Sequence, residues 1–388
     1  MIPCKRFIKR GYVIVAALLF FSIRLQAQNN DNDSHTAILF SDELKKEYES
    51  ALKTLKLKEY SIITKTDTIR FLATLPGKKK KTIVFVAGSG PVPLITKVPE
   101  GYYPPFPFSL DSTTLAGFNL VIVSKPGLKV FCTPADLSID LLKQGQVMEL
   151  DSWNRPPQKY TMNNKLSKIG GDHIDVVKYL KGQPWVDKDN IYIYGHSQGA
   201  HVAAYVAWKD SADIKGLIYS QSNAYSVYAG YLSAILYDTK LTAGEADKKM
   251  DSIYRQQGAI INGIPDKEMD ELYGWNEADL YDKKNNDFFD IYTTRWRSLE
   301  FPAAIDYLLN VTKPVLLVNG MASTGEYDNK NVPIDFIQHH KHNLSVLFYP
   351  GYDHNFFKSV FDANGKPQEP EFHWGDVFND VKKWITKQ

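Results

Sequence analysis

Six short apolar runs, rich in β-branched residues and bounded by glycine, proline or charged residues, occur after residue 80. Runs without regular alternation of polar residues are typical of strands buried on both faces, as in a parallel sheet. The pattern therefore predicts strands over residues 82–86, 119–123, 191–194, 214–220, 314–318 and 344–349.

Apolar residues at helical spacing occupy parts of the segments between and after these runs. They predict helices over residues 172–180, 198–208, 334–342 and 374–386. Strands that alternate with helices predict the α/β fold class, with a doubly wound and mostly parallel sheet. In such sheets ligands bind beyond the carboxyl ends of the strands, so the candidate chemistry is expected directly after each run.

The end of the third run carries the strongest chemical signal. There the chain reads Gly195-His196-Ser197-Gln198-Gly199 and continues directly into a predicted helix. This is a G-x-S-x-G motif between strand and helix, where a tight turn strains the serine backbone and requires small residues two positions before and after it. Ser197 is therefore the candidate nucleophile, and the helix N-terminus beside it favours developing negative charge.

A serine hydroxyl is a weak nucleophile unless a base removes its proton. The loop after the last predicted strand contains His354, which can reach back over the sheet to Ser197 from that position. The third group must be a carboxylate that fixes the histidine tautomer. The loop after residues 314–318 offers Glu326 and Asp328, and we favour Asp328, whose shorter side chain loses less rotamer freedom.

From residue 82 onward these features resemble the α/β-hydrolase fold family. Ser197, Asp328 and His354 follow one another in the order of that family's catalytic triad. The resemblance also favours Asp328, because many members carry their acid shortly before a Val-Pro pair, here Val332-Pro333. The loop is longer here than in those members, so Glu326 stays open as the alternative.

The resemblance further implies an oxyanion hole. The run at 82–86 leads into Ala87-Gly88-Ser89-Gly90-Pro91, which is similar to the glycine-rich oxyanion loop that follows the third strand of the family. The implied donors are the backbone N–H groups of Gln198 and of Ser89 or Gly90. A purely structural glycine-rich turn is the alternative for this loop.

Members of the family commonly insert a cap between their sixth and seventh strands. A long segment lies there, and we expect a helical lid over residues 224–311, with a second insertion over 125–167. The expected organisation is a signal peptide (1–27), a leader and N-terminal helix (28–59), a core in two parts (60–223 and 312–388) and the lid. A hairpin is predicted over residues 60–65 and 68–75.

The first 27 residues are expected to be a cleaved export signal. Basic residues precede an apolar run over 11–23, and Ala27 is a small residue at the expected cleavage position. The run is shorter than the roughly 20 residues of a membrane span, so we expect a periplasmic or secreted protein without a span after signal removal. An uncleaved anchor is the alternative.

Composition and charge exclude some classes of protein and of binding partner. The chain is 44% hydrophobic and 23% charged, as in globular proteins. Without the signal, acidic residues outnumber basic ones, so nucleic acid is not an expected partner. Cys132 is expected to be a buried thiol. We interpret His339, His340 and His342 as the polar end of a helix, and expect neither a metal nor a cofactor.

The sequence therefore predicts an exported serine hydrolase. Its expected substrate is a small-molecule or acyl-ester compound, cleaved through an acyl-enzyme intermediate. A serine peptidase of the same fold and a catalytically silent binding protein are the alternatives. The sequence assigns no oligomeric state.

Overall fold

The computed structural model describes residues 41–388, apart from 66, 76, 91, 112–114, 134–157, 227–231, 233–234, 237–240, 263–301 and 324. The expected export signal over residues 1–27 lies outside the described residues. So do most of the expected lid and most of the insertion over 125–167.

Strands in the described ranges form one large sheet and two small ones. In chain order they are β1 (Leu57–Ile63), β2 (Thr68–Thr74), β3 (Lys80–Val86), β4 (Ile95–Val98), β5 (Gly101–Tyr103), β6 (Phe118–Val123), β7 (Phe131–Cys132), β8 (Val186–His196), β9 (Gly216–Ser220), β10 (Val315–Gly320), β11 (Leu344–Tyr349), β12 (Phe357–Lys358) and β13 (Glu371–Phe372).

The large sheet has eight strands in the order β1-β2-β6-β3-β8-β9-β10-β11. Neighbours from β6 to β11 are parallel, whereas β2 is antiparallel to both β1 and β6. The predicted, mostly parallel sheet is thus confirmed. The predicted hairpin is present as β1 and β2, which form two strands at one edge of this sheet.

The described α-helices pack against this sheet or lie in its connections. They are α1 (Asp42–Leu55), α2 (Gln158–Asn163), α3 (Leu166–Lys181), α4 (Gln198–Lys209), α5 (Ala243–Asn262), α6 (Ala304–Leu308), α7 (Val332–Gln338) and α8 (Trp374–Lys387). At the start of α1, Ser41 Oγ accepts the N–H of Leu44 at 3.2 Å, as a helix N-cap does.

Two apolar cores lie on the two faces of the sheet. One contains α3, α4, α6 and α7, and the other contains α1 and α8. Successive residues of β3 alternate between them, since Val84 and Val86 face the first core while Ile83 and Phe85 face the second. This double burial explains why the central strands read as continuous apolar runs.

Helix α7 differs from its prediction in both bounds. It covers Val332–Gln338 instead of 334–342, because Pro333 suits the first turn of a helix and the helix ends before His339. In the expected lid, the described part includes α5 and α6.

Candidate active site

Ser197 lies at the turn between β8 and α4, with φ 55° and ψ −130°. A non-glycine residue rarely adopts a positive φ, and the cost of about 1–3 kcal/mol persists only where the surrounding structure imposes it. Here the Ser197 N–H donates to the carbonyl of Ser220 on β9 at 3.0 Å, and its own carbonyl accepts from the N–H of Ala200 at 2.9 Å. The backbone is therefore held on both sides of a partly exposed side chain.

Two glycines allow this turn. A Cβ on Gly195 would lie 2.1 Å from the carbonyl oxygen of Gly199, and a Cβ on Gly199 would lie 2.1 Å from the carbonyl oxygen of Val86. Any other residue at these positions would displace backbone. The turn also touches the loop after β3, because a Cβ on Gly88 would lie 3.6 Å from Ser197 Oγ.

His354 lies in the loop after β11 and approaches this turn. The centroid of its ring is 5.2 Å from that of His196, the residue before Ser197. Asp353 shapes the loop, because its Oδ1 accepts the backbone N–H groups of Asn355 and Phe357, each at 2.8 Å. Within the described residues, no hydrogen bond joins Ser197 Oγ to His354. Catalytic hydrogen bonds of this kind are often long before substrate binds.

The carboxylate against His354 belongs to Glu326. Its Oε1 lies 2.7 Å from His354 Nδ1, and its Oε2 accepts a hydrogen bond from the Ser323 hydroxyl. Glu326 is 6% exposed, so little solvent screens the charge of its carboxylate. The arrangement suits a carboxylate that orients an imidazole and leaves Nε2 available to accept a proton.

This geometry favours Glu326 over Asp328, the acid that was preferred from the sequence. Asp328 lies in the 3₁₀ turn Tyr327–Asn331, and its Oδ2 accepts from Asn223 Nδ2 at 3.3 Å. Buried Asn329 anchors that turn, because its Nδ2 donates to the Ser222 carbonyl at 2.6 Å and its Oδ1 accepts the N–H of Ala224 at 2.8 Å. The loop therefore places Glu326 against His354, and the longer glutamate side chain allows its carboxylate to contact Nδ1.

The two groups also shift each other's protonation. Burial opposes the charged form of His354, but the charge and hydrogen bond of Glu326, together with the charge of Asp353, outweigh it and raise the pKa of His354. Burial likewise opposes the charge on Glu326, yet His354 and the Ser323 hydroxyl lower the pKa of Glu326. The carboxylate therefore stays ionised beside the histidine.

A second histidine at the site stays neutral. His196 is 8% exposed, and its ring packs edge-on against Trp374 with the centroids 4.8 Å apart. Burial, and then the charge of His354, hold the pKa of His196 well below its usual range. His196 therefore packs beside His354 and does not compete with it for a proton.

Gln221, which the sequence analysis did not single out, joins the two loops that carry His354 and Glu326. It is fully buried directly after β9, with φ 51°. Its Nε2 donates to the carbonyl of Asp353 at 2.6 Å, and its Oε1 accepts the N–H of Gly320 at 3.0 Å. The available sequence signal was a polar residue directly after a buried strand, at the edge where ligands bind.

Both segments expected to supply oxyanion donors lie near Ser197. Gln198 is the first residue of α4, where backbone N–H groups have no partner within the helix. Ser89 and Gly90 follow Gly88 in the loop that touches Ser197, and Gly90 has φ 96°. The structure thus brings together every segment of the expected site, with Glu326 in the position expected for Asp328.

His339, one of the three histidines expected at the polar end of a helix, directly follows α7. Its Nδ1 lies 2.8 Å from the carbonyl oxygen of Asp335 in the same helix. Within the described ranges, no group of three or more His, Cys, Asp or Glu residues could hold a metal ion. None of the helices in this part of the chain has both the length and the apolar character needed to cross a membrane.

No protein-family model matches the chain, and no curated protein matches it in sequence. Solved structures that are similar to the chain include three of low sequence identity. The acylaminoacyl peptidase of Pyrococcus horikoshii matches with a TM-score of 0.47 and 15% identity, over 87% of this chain and 43% of that chain. Dipeptidyl peptidase 4 of Porphyromonas gingivalis matches with a TM-score of 0.46 and 12% identity, over 86% of this chain and 35% of that chain.

The third is a thermostable carboxyl esterase of Bacillus coagulans, with a TM-score of 0.46 and 15% identity, over 85% of this chain and 98% of that chain. This chain therefore spans less than half the length of the two peptidases. Its resemblance to the α/β-hydrolase fold is confirmed by the parallel sheet and by the strained serine between β8 and α4.

Proposed function

We propose that this protein is a serine hydrolase that cleaves an ester-like acyl bond. The supporting observation is the strained Ser197 at the end of β8, with the His354–Glu326 pair beside it. In the proposed roles, Ser197 is the nucleophile, His354 the general base and Glu326 the carboxylate that orients it. The N–H groups of Gln198 and of Ser89 or Gly90 are the proposed oxyanion donors.

The reaction begins when Ser197 Oγ attacks the carbonyl carbon and His354 Nε2 takes its proton. The tetrahedral oxyanion is held by the backbone donors. It collapses to an acyl-enzyme while His354 returns the proton to the leaving alcohol. Water then attacks the acyl group while His354 takes its proton. The tetrahedral species collapses to the free acid as His354 returns this proton to the departing Ser197 Oγ.

The same machinery can expel an amine, so the ester and peptidase alternatives differ in substrate pocket and not in the catalytic groups. To test the proposal, the purified protein is treated with a fluorophosphonate probe and then assayed on nitrophenyl esters and aminoacyl anilides of graded size. We expect stoichiometric labelling of Ser197 and faster turnover of an ester. Higher kcat/KM on an anilide selects the peptidase alternative, and a folded protein without labelling or turnover favours the binding protein.

The pH dependence of the ester reaction follows from the His354–Glu326 pair. His354 must be neutral to accept the proton, so kcat/KM rises as pH passes upward through its pKa. Because that pKa is raised, the midpoint of the rise should lie above the usual value of about 6.5. Glu326→Gln removes the charge that raises it, and should move the midpoint to lower pH while reducing the plateau.

The measurement is kcat/KM from about pH 5 to about pH 9, with circular dichroism at each pH as the control for folding. A wild-type midpoint below the usual value, or a midpoint that Glu326→Gln leaves in place, contradicts the assignment of the base.

A further inference from the structure

Lys125 is a largely buried lysine next to the proposed oxyanion loop. It lies two residues after the end of β6 and is 9% exposed. Its Nζ donates to the carbonyl of Gly90 at 2.7 Å and also to the carbonyl of Gly88. A buried ammonium group is costly to desolvate unless it finds hydrogen-bond partners, so this arrangement needs an explanation in structure or in function.

The sheet brings Lys125 to this loop. Strands β3 and β6 are parallel neighbours, and Phe85 is paired with Ile122. Their carboxyl ends therefore meet at one edge, and the loop after β6 lies beside the loop after β3. Since β8 is the other neighbour of β3, the same loop also meets Ser197.

Two glycines leave the backbone of this loop free to adopt several conformations at their positions. Gly88 and Gly90 lack side chains, and Gly90 has φ 96°. Glycine can adopt many other backbone conformations of similar energy, so this one is not fixed by the residue itself. An oxyanion hole requires donors whose direction is set before the reaction, because reorientation during the reaction would cost free energy. Some other group must therefore hold these peptides.

Lys125 binds the peptide that carries the proposed Ser89 donor. The carbonyl of Gly88 and the N–H of Ser89 belong to one planar trans peptide, and they point in opposite directions. A group that binds the Gly88 oxygen therefore also determines where the Ser89 N–H points. The contact with Gly90 restrains the other end of the same loop.

We propose that Lys125 is a positioning residue that aims the Ser89 N–H at the oxyanion, and that its buried charge strengthens the field at that point. The inference rests on the proposed serine hydrolase function. A lysine suits the task because one ammonium group has three donors and can serve both carbonyls at once. Its charge also polarises the peptide it binds, which makes the N–H a better donor.

The test compares Lys125→Met and Lys125→Arg with the wild type on the best ester of the panel. Removing an oxyanion donor costs about 10²–10³ in kcat, and a misdirected donor should cost less. For Lys125→Met we expect a loss in kcat of about 10–100-fold, with KM changed less than about threefold. Lys125→Arg, which keeps the charge and the donors, should recover part of the loss.

A boronic acid that forms a tetrahedral adduct with Ser197 provides a second readout. Its inhibition constant should rise by about the same factor as kcat falls, because both depend on the oxyanion donors. A merely structural lysine would change Tm and leave the ratio of boronate to substrate affinity unchanged. Lys181→Met is the matched control, since Lys181 pairs with Asp213 near the far end of α3 and should leave kcat unchanged.

Wild-type kcat and boronate affinity in folded Lys125→Met overturn the proposal. If that variant does not fold, Lys125→Gln replaces it: an intermediate loss in both readouts supports the proposal, and wild-type values overturn it. Absence of probe labelling in the wild type would instead refute the hydrolase function itself, so the two failures are distinguishable.

Discussion

Ser197→Ala should abolish turnover and fluorophosphonate labelling while the protein remains folded. In a serine protease, removal of the nucleophile costs about 10⁶ in kcat, and we expect a loss of at least about 10⁴ here. Stability should change little, because alanine keeps the Cβ that strains the turn, and the hydrogen bonds of Ser197 that hold the turn involve its backbone. The measurements are kcat, labelling followed by peptide mapping, and Tm.

Ser222→Ala is the matched control for this variant. Ser222 Oγ lies 3.0 Å from His201 Nδ1, so the chain contains a second serine–histidine contact, but Ser222 is only 7% exposed. Its removal leaves a buried imidazole nitrogen without that partner, at a cost of about 1–3 kcal/mol in stability. We expect lower Tm with normal labelling. Retained turnover in Ser197→Ala, or labelling of another residue there, would refute the nucleophile assignment.

Glu326→Gln should produce the second largest loss, about 10²–10⁴ in kcat. The substitution keeps the size of the side chain but removes the charge that stabilises the protonated His354 formed during the reaction. The corresponding change in a serine protease costs about 10⁴ in kcat. A smaller loss is allowed here, because a glutamine oxygen can still accept from Nδ1 while its amide nitrogen faces Ser323.

Asp328→Asn is the control, and it should change kcat less than about tenfold, or about 1.4 kcal/mol of activation free energy. Asp328 Oδ2 accepts a hydrogen bond from Asn223 after β9, whereas the carboxylate against His354 Nδ1 belongs to Glu326. Glu326→Asp gives a third point, because it keeps the charge on a shorter side chain and should fall between the wild type and Glu326→Gln. A large loss in Asp328→Asn with near-normal Glu326→Gln would restore Asp328 as the acid.

The local sequence does not determine which of Glu326 and Asp328 contacts His354. Both carboxylates were candidates, and a shorter side chain with less rotamer freedom to lose favoured Asp328. Rotamer freedom is a property of each side chain by itself and does not determine where the loop places it. The path of the loop is set by Asn329, which binds the backbone of Ser222 and Ala224 directly after β9, and by the approach of Gly320 to the histidine loop. Neither contact has a local sequence signature.

The same limit applies to Gln221 and Lys125. Each stabilises a loop from another strand end, Gln221 through Asp353 and Gly320, and Lys125 through Gly88 and Gly90. Which loops become neighbours depends on the order of strands in the sheet. That order is not the order along the chain, because β6 lies between β2 and β3.

The sequence by itself determined the α/β class, the central strands and the turn at Ser197. These features follow from local rules: strands buried on two faces must be apolar throughout, and a strained turn between strand and helix admits only small neighbours. The tertiary structure alone decided that the hairpin extends the sheet, that Glu326 contacts His354, and that Gln221 and Lys125 brace the surrounding loops. Those outcomes depend on contacts between segments far apart in the chain, whose geometry arises only when the sheet has assembled.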